Sequence, residues 1–155
     1  MNVSARLTEL GIELPAVVPP VAAYVPAVVH GDLAYTSGQL PMVDGTLPAT
    51  GKVGEGDGLV APADAYGLAR RSALNAIAAA GAAVGGVDRL TGVVKVTGFV
   101  SSVPEFTGQP GVINGASELL GEVFGEAGAH ARSAVGVPVL PLDSPVEVEV
   151  VFSWE

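Results

Sequence analysis

The chain has 155 residues, 16 Asp and Glu against 7 Lys and Arg, a formal charge of −9 and 49% hydrophobic residues, which together fit one globular domain spanning 1–155. Charged residues make up only 15%, below the roughly 25% usual in soluble proteins, so neutral surface or burial against further copies of the chain is expected. Cysteine is absent, which excludes disulfide frameworks, thiolate nucleophiles, Fe–S clusters and Cys-based zinc sites, while Gly and Pro stay below the roughly 25–30% of low-complexity chains.

Ser4 is a candidate cap for a short N-terminal helix carrying Leu7 and Leu10, ended by Gly11, so a helical extension at about 1–14 is expected. Arg6 and Glu9 interrupt any apolar leader, giving a cytosolic expectation. The uncharged run from Leu14 to Gly31 contains Pro15, Pro19, Pro20 and Pro26, which break a helix and argue against a membrane span. Tyr24–Val29 and Leu33–Thr36 are β-prone and separated by His30-Gly31-Asp32, the pattern of a hairpin. Between Pro41 and Pro62 lies a glycine-rich polar loop of functional length.

A helix is predicted from Asp64, with small inward residues at Ala65, Leu68, Ala69, Ala73, Ala76, Ile77 and Ala80 and a stop at Gly81. So little bulk requires close support, most simply a sheet. Leu90–Ser101 reads as a long strand, Ile113–Phe124 as a helix, and Arg132–Leu140 and Val146–Ser153 as two further strands. The order implies an α+β fold with two helices on one face of a mixed sheet. The other face, if apolar, needs a partner, and a second copy is the commonest one.

Val146, Val148 and Val150 alternate with Glu147 and Glu149, so two carboxylates share one strand face, where they lie on a solvated edge, meet a cation or take raised pKa values. Arg132 is the basic residue near the adjacent strand, and an Arg132–carboxylate pair is expected from charge, as a functional contact or a structural ion pair. His30 and His130 lack paired-ligand spacing, so no metal is expected. The Gly81–Gly86 run lacks the Lys-Ser/Thr of a phosphate loop, and the serines offer no Gly-x-Ser-x-Gly elbow. Seven scattered basic residues in an acidic chain argue against nucleic acid, and the adjacent Arg70 and Arg71 read as a solvated helix face.

Tyr24, Ala27-Val28, Gly31, the run Thr36-Ser37-Gly38-Gln39-Leu40-Pro41, then Ala131-Arg132-Ser133-Ala134-Val135 and Val146-Glu147-Val148-Glu149 occur in the order of a known pattern. The chain resembles the RidA family, also called YjgF, from about Tyr24 to Phe152, in a branch with an added N-terminal helix and an enlarged 41–62 loop. The resemblance implies a chorismate-mutase-like fold, a homotrimer with clefts between subunits, and hydrolysis of 2-imino acids or their enamines to 2-keto acids and ammonia without metal or organic cofactor. Carried over by position, Arg132 would clamp the substrate carboxylate and Glu147 would hold the attacking water. Tyr24, Ser37 and Gly38 would shape the cleft, with Asn114 peripheral. Ala134 replaces a cysteine common in the deaminases, at a place where the main-chain carbonyl is the expected contributor. A non-catalytic keto-acid binder is the alternative, and ribonuclease or translation inhibition, attached to some family names, is disfavoured by charge.

Overall fold

A computed structural model describes residues 2–155. Helix α1 (Val3–Glu9) is capped by Asn2, whose side chain accepts from the Ala5 amide. Ser4, expected as the cap, lies inside the first turn and ties the helix to Asp88 through its amide and hydroxyl. The hairpin strands are β1 (Ala27–His30) and β2 (Leu33–Thr36), and His30 pairs with Leu33. The loop is therefore the two residues Gly31 and Asp32, with Gly31 at φ +60°, a left-handed conformation that glycine adopts without steric cost. Tyr24 falls before β1, outside the strand predicted to include it.

Helix α2 (Pro62–Val84) starts two residues before Asp64, with proline in its first turn. It runs through Gly81 and ends at Gly85, which adopts φ +87°. Gly81 has no stop function because helix backbone suits it and the left-handed geometry comes four residues later. Strand β3 (Leu90–Ser101) has its predicted bounds. Helix α3 (Gln109–Phe124) begins four residues earlier than its apolar period shows, since Pro110 suits a first turn, so Asn114 sits in the second turn. Strands β4 (Ala131–Val137) and β5 (Val146–Trp154) follow, β4 being shorter at its C-terminal end than expected.

The sheet order is β1-β2-β5-β3-β4, with β3–β4 parallel and the other pairs antiparallel. Helices α2 and α3 cover one face, over a core containing Phe152, Phe124, Ile77, Ile113 and Leu119. The small residues of α2 serve two supports. Besides the sheet they admit α3, where a methyl on Gly115 would lie 2.0 Å from the Tyr66 carbonyl oxygen. Arg70 grips Glu122 through two nitrogens at 3.2 and 2.6 Å, which holds that carboxyl below its usual value. The arginine pair is thus no simple solvated face. The 41–61 loop is pinned as well: fully buried Val53 bonds Ser101 and Val103, and Lys52 pairs with Asp143.

Candidate functional site

Strand register decides which candidates can meet. Val96 on β3 pairs with Arg132 on β4 and with Val150 on β5, so these three side chains share the helix-covered face. Glu147 and Glu149 have the opposite parity to Val150 and project from the open face. The Arg132–carboxylate pair expected from charge does not form within one chain: the sheet itself lies between the two groups, and neither carboxylate is among the ion pairs of the described residues.

Arg132 is instead held from α3. Its Nη1 donates to Asn114 Oδ1 at 2.8 Å and to Ser117 Oγ at 3.3 Å, while Nη2 donates to the Pro110 carbonyl at 3.2 Å. Asn114, expected to be peripheral, is the shortest of these contacts. A guanidinium has five N–H donors, so Nε–H and one Nη2–H are unspent. Those two lie along one edge of the planar group and match the two oxygens of a carboxylate. The strand carrying Arg132 is an edge strand, which puts that free edge at the rim of the sheet. Ala134, two residues on, pairs with Gly98 and packs half-buried against the core beside it.

His130 supports the same cluster. Its Nδ1 lies 2.6 Å from the Gly128 carbonyl, which can only accept, so a proton sits on Nδ1, the tautomer in which Nε2 is the acceptor. Ser117 Oγ, at 2.8 Å, donates to that Nε2 and turns its lone pairs to Arg132. Ser117 carried no signal in the sequence beyond its place one turn after Asn114.

The second cluster lies on the open face and at the end of β2. The Gly38 backbone sits against the Glu147 carboxylate so closely that a methyl there would be 1.8 Å from Oε1. Gln39 and Val148 exchange two backbone hydrogen bonds, which fix this contact. Burial, and secondarily the neighbouring Glu149 charge, push the Glu147 carboxyl above its ordinary value. Ser37 spends its hydroxyl proton on the Val25 carbonyl at 2.6 Å and its amide on Pro26, tying the preceding segment to β2. That segment carries Tyr24, which is 44% exposed and lines a hollow of about 30 Å³ with Gly38, Leu40 and Met42. Tyr24, Ser37, Gly38 and Glu147 therefore form one group, and Arg132, Asn114 and Ala134 another. Among the described residues no cluster of three or more His, Asp or Glu is arranged to hold a metal, and no helix is long and apolar enough to cross a membrane.

Comparison with known proteins places this architecture. The family described as "YjgF/chorismate_mutase-like, putative endoribonuclease" matches residues 4–153. Protein TCP17 of Trypanosoma cruzi is 44% identical over 149 residues, covering 96% of this chain and 91% of that protein. The Escherichia coli protein named reactive intermediate deaminase TdcF, a provisional name, is 32% identical over 136 residues, covering 84% of this chain and 86% of its own. Among solved structures, Atu1372 of Agrobacterium tumefaciens, described as of unknown function, superposes with a TM-score of 0.87 at 42% identity over 99% of this chain and 93% of its own. With the family profile spanning nearly the whole fold and the mixed sheet beneath it, the chain belongs to the RidA/YjgF family.

Proposed function

We propose that the protein hydrolyses reactive 2-imino acids and their enamine tautomers to 2-keto acids and ammonia, in a cleft between copies of a homotrimer. The observation that carries this reading is the Arg132 guanidinium, oriented by three protein acceptors with its carboxylate-matching edge unspent. Relationship to a protein named as a reactive intermediate deaminase supports the reaction class. The separation of the two residue groups within one chain supports a site completed by a neighbouring copy. So does the open sheet face, where Val28, Tyr35 and Val135 are 52%, 40% and 44% exposed.

In this reading Arg132 of one copy anchors the substrate carboxylate against the Tyr24, Ser37, Gly38 and Glu147 group of the next. Water adds to the imine carbon as one of its protons passes by way of Glu147 to the imine nitrogen, giving a carbinolamine. The hydroxyl proton then passes by the same carboxylate to the nitrogen as the C–N bond breaks and the C=O bond forms, releasing ammonia. The products are the keto acid and ammonia, with no electron transferred. A carboxyl with a raised pKa is suited to this exchange, because it takes and returns a proton closer to neutral pH than an ordinary glutamate. Placement of water and imine together supplies much of the rate.

The test is ammonia release from freshly generated 2-iminopropanoate or 2-iminobutanoate. Acceleration over buffer that is lost in Arg132→Ala is the expected result. No acceleration, with 2-oxobutanoate still bound, points to a carboxylate-binding protein of the same fold, a reading favoured by the distance between anchor and base within one chain.

A further inference from the structure

A cavity of about 560 Å³ lies on the helix side of the molecule, between the 13–19 segment, the turn at Met42–Gly45 and the middle of α2. Its size is in the range that holds small organic ligands, roughly 300–1,000 Å³. Neither Arg132 nor Glu147 lines it. One long wall is apolar and includes Leu14, Pro15, Ala16, Val17, Val18 and Pro19, a stretch whose two prolines restrict its backbone and so preserve the wall's shape.

Two α2 side chains one turn apart supply the polar end. Arg71 donates from Nε to the Met42 carbonyl at 2.9 Å, and its two Nη groups have no acceptor among the described residues. No carboxylate lies within ion-pair distance of it, although Glu13 and Asp44 stand elsewhere on the lining. Asn75 is fully buried and donates both amide hydrogens, to the Leu40 and Met42 carbonyls at 3.0 and 3.1 Å. Those bonds fix the amide's orientation and leave Oδ1 as a buried acceptor without a donor. Arg71 and Asn75 thus hold the same loop carbonyl, which makes the wall preformed, and each keeps unspent capacity.

The two kinds of capacity differ in sign. Arg71 calls for an anion, and the unpaired Asn75 oxygen calls for a hydrogen-bond donor. Glu13 and Asp44 also stand on the lining and oppose an anion in proportion to its charge, so on the single guanidinium a monoanion is opposed less than a phosphate dianion. We propose that this cavity is a second small-molecule site, taking an organic monocarboxylate with a branched apolar body and a donor beside the carboxylate, the chemistry of an apolar 2-amino or 2-hydroxy acid. The carboxylate sits on the Arg71 Nη edge, the donor faces Asn75, and the apolar body lies along Pro15–Val18. The cavity shares Val18, Pro19 and Met42 with the hollow beside Tyr24 and Gly38, so its occupant borders the proposed reaction site.

The test is calorimetric titration of the full chain with L-leucine and with 2-hydroxy-4-methylpentanoate, leucinamide serving as the probe without a carboxylate. Millimolar or tighter binding of at least one acid and none of the amide is expected. Arg71→Gln should weaken it about tenfold or more, and Ala16→Phe, which fills the cavity from a surface segment, should do the same. Arg132→Gln should leave it unchanged, which separates this site from the proposed reaction. Failure of both acids to bind overturns the proposal, as does wild-type affinity in either cavity variant or loss of binding in Arg132→Gln.

Discussion

The β4 edge and the open face beside β5 treat charge in opposite ways. At the edge, Arg132 is surrounded by acceptors: an amide, a hydroxyl and a carbonyl hold three of its donors in place. On the open face, Glu147 is pressed against glycine backbone, with burial opposing its charge and a second carboxylate nearby. One region stabilises an ion and aims it, whereas the other keeps an acid ready to hold its proton. Neither contains the other's partner, and the sheet separates them. In the proposed reaction, association of chains therefore brings the anchor and the proton acceptor together.

The largest expected effect breaks the first region. Arg132→Ala should reduce turnover of 2-iminobutanoate about a hundredfold or more, since both charge-assisted bonds to the carboxylate are lost together. Sedimentation should show the assembly state unchanged, and a variant retaining wild-type turnover removes Arg132 as the anchor. Gly38→Ala attacks the second region. The added methyl displaces only the movable end of Glu147, so stability in urea should fall by no more than about 1–2 kcal/mol. Turnover should drop about tenfold or more as the proton acceptor leaves its place, and the carboxyl titration followed by NMR should return towards the ordinary glutamate range.

Glu147→Gln sharpens the comparison through pH. Because burial raises the folded carboxyl, the folded chain keeps this proton to higher pH than the unfolded chain, which loses it near 4.5. Below that value both states are protonated and the group is neutral towards stability. As pH rises through the folded value, stability is lost, by linkage. The variant should therefore gain stability relative to the parent as pH rises above about 4.5, until the folded carboxyl has also ionised, as read from urea midpoints. A flat difference would show that Glu147 ionises freely.

Ser117→Ala gives the smallest effect. It removes one acceptor of Arg132 and leaves His130 Nε2 without its donor, so carboxylate affinity should weaken about threefold to tenfold, in line with one net hydrogen bond. Ser117→Thr, which keeps the hydroxyl, should restore most of it in the same binding titration.

Much of the fold was legible because its signals are local. The β-branched run of Leu90–Ser101 forms one strand with the predicted bounds, and the alternation in Val146–Val150 correctly puts both glutamates on one face. The helix limits were less legible. Gly81 resembles a stop, yet a glycine inside a helix can serve close packing, and a methyl there would lie 3.0 Å from the Val87 backbone. Asn2 and Ser4 are both capping residue types, and only the backbone turn shows that Asn2 is the cap. The part of the site carried by the 36–41 motif is contiguous, so its residues stay together in space.

By itself the sequence determined the element order and the shared face of Glu147 and Glu149, and it singled out Arg132. Only the tertiary structure decided on which side of the sheet that arginine stands. Facing alternates with each residue, so a register shift of one between β3 and β4 would turn Arg132 to the glutamate side. The parallel pairing of Val96 with Arg132 turns it to α3 instead, where Asn114 and Ser117 take the place of the expected carboxylate.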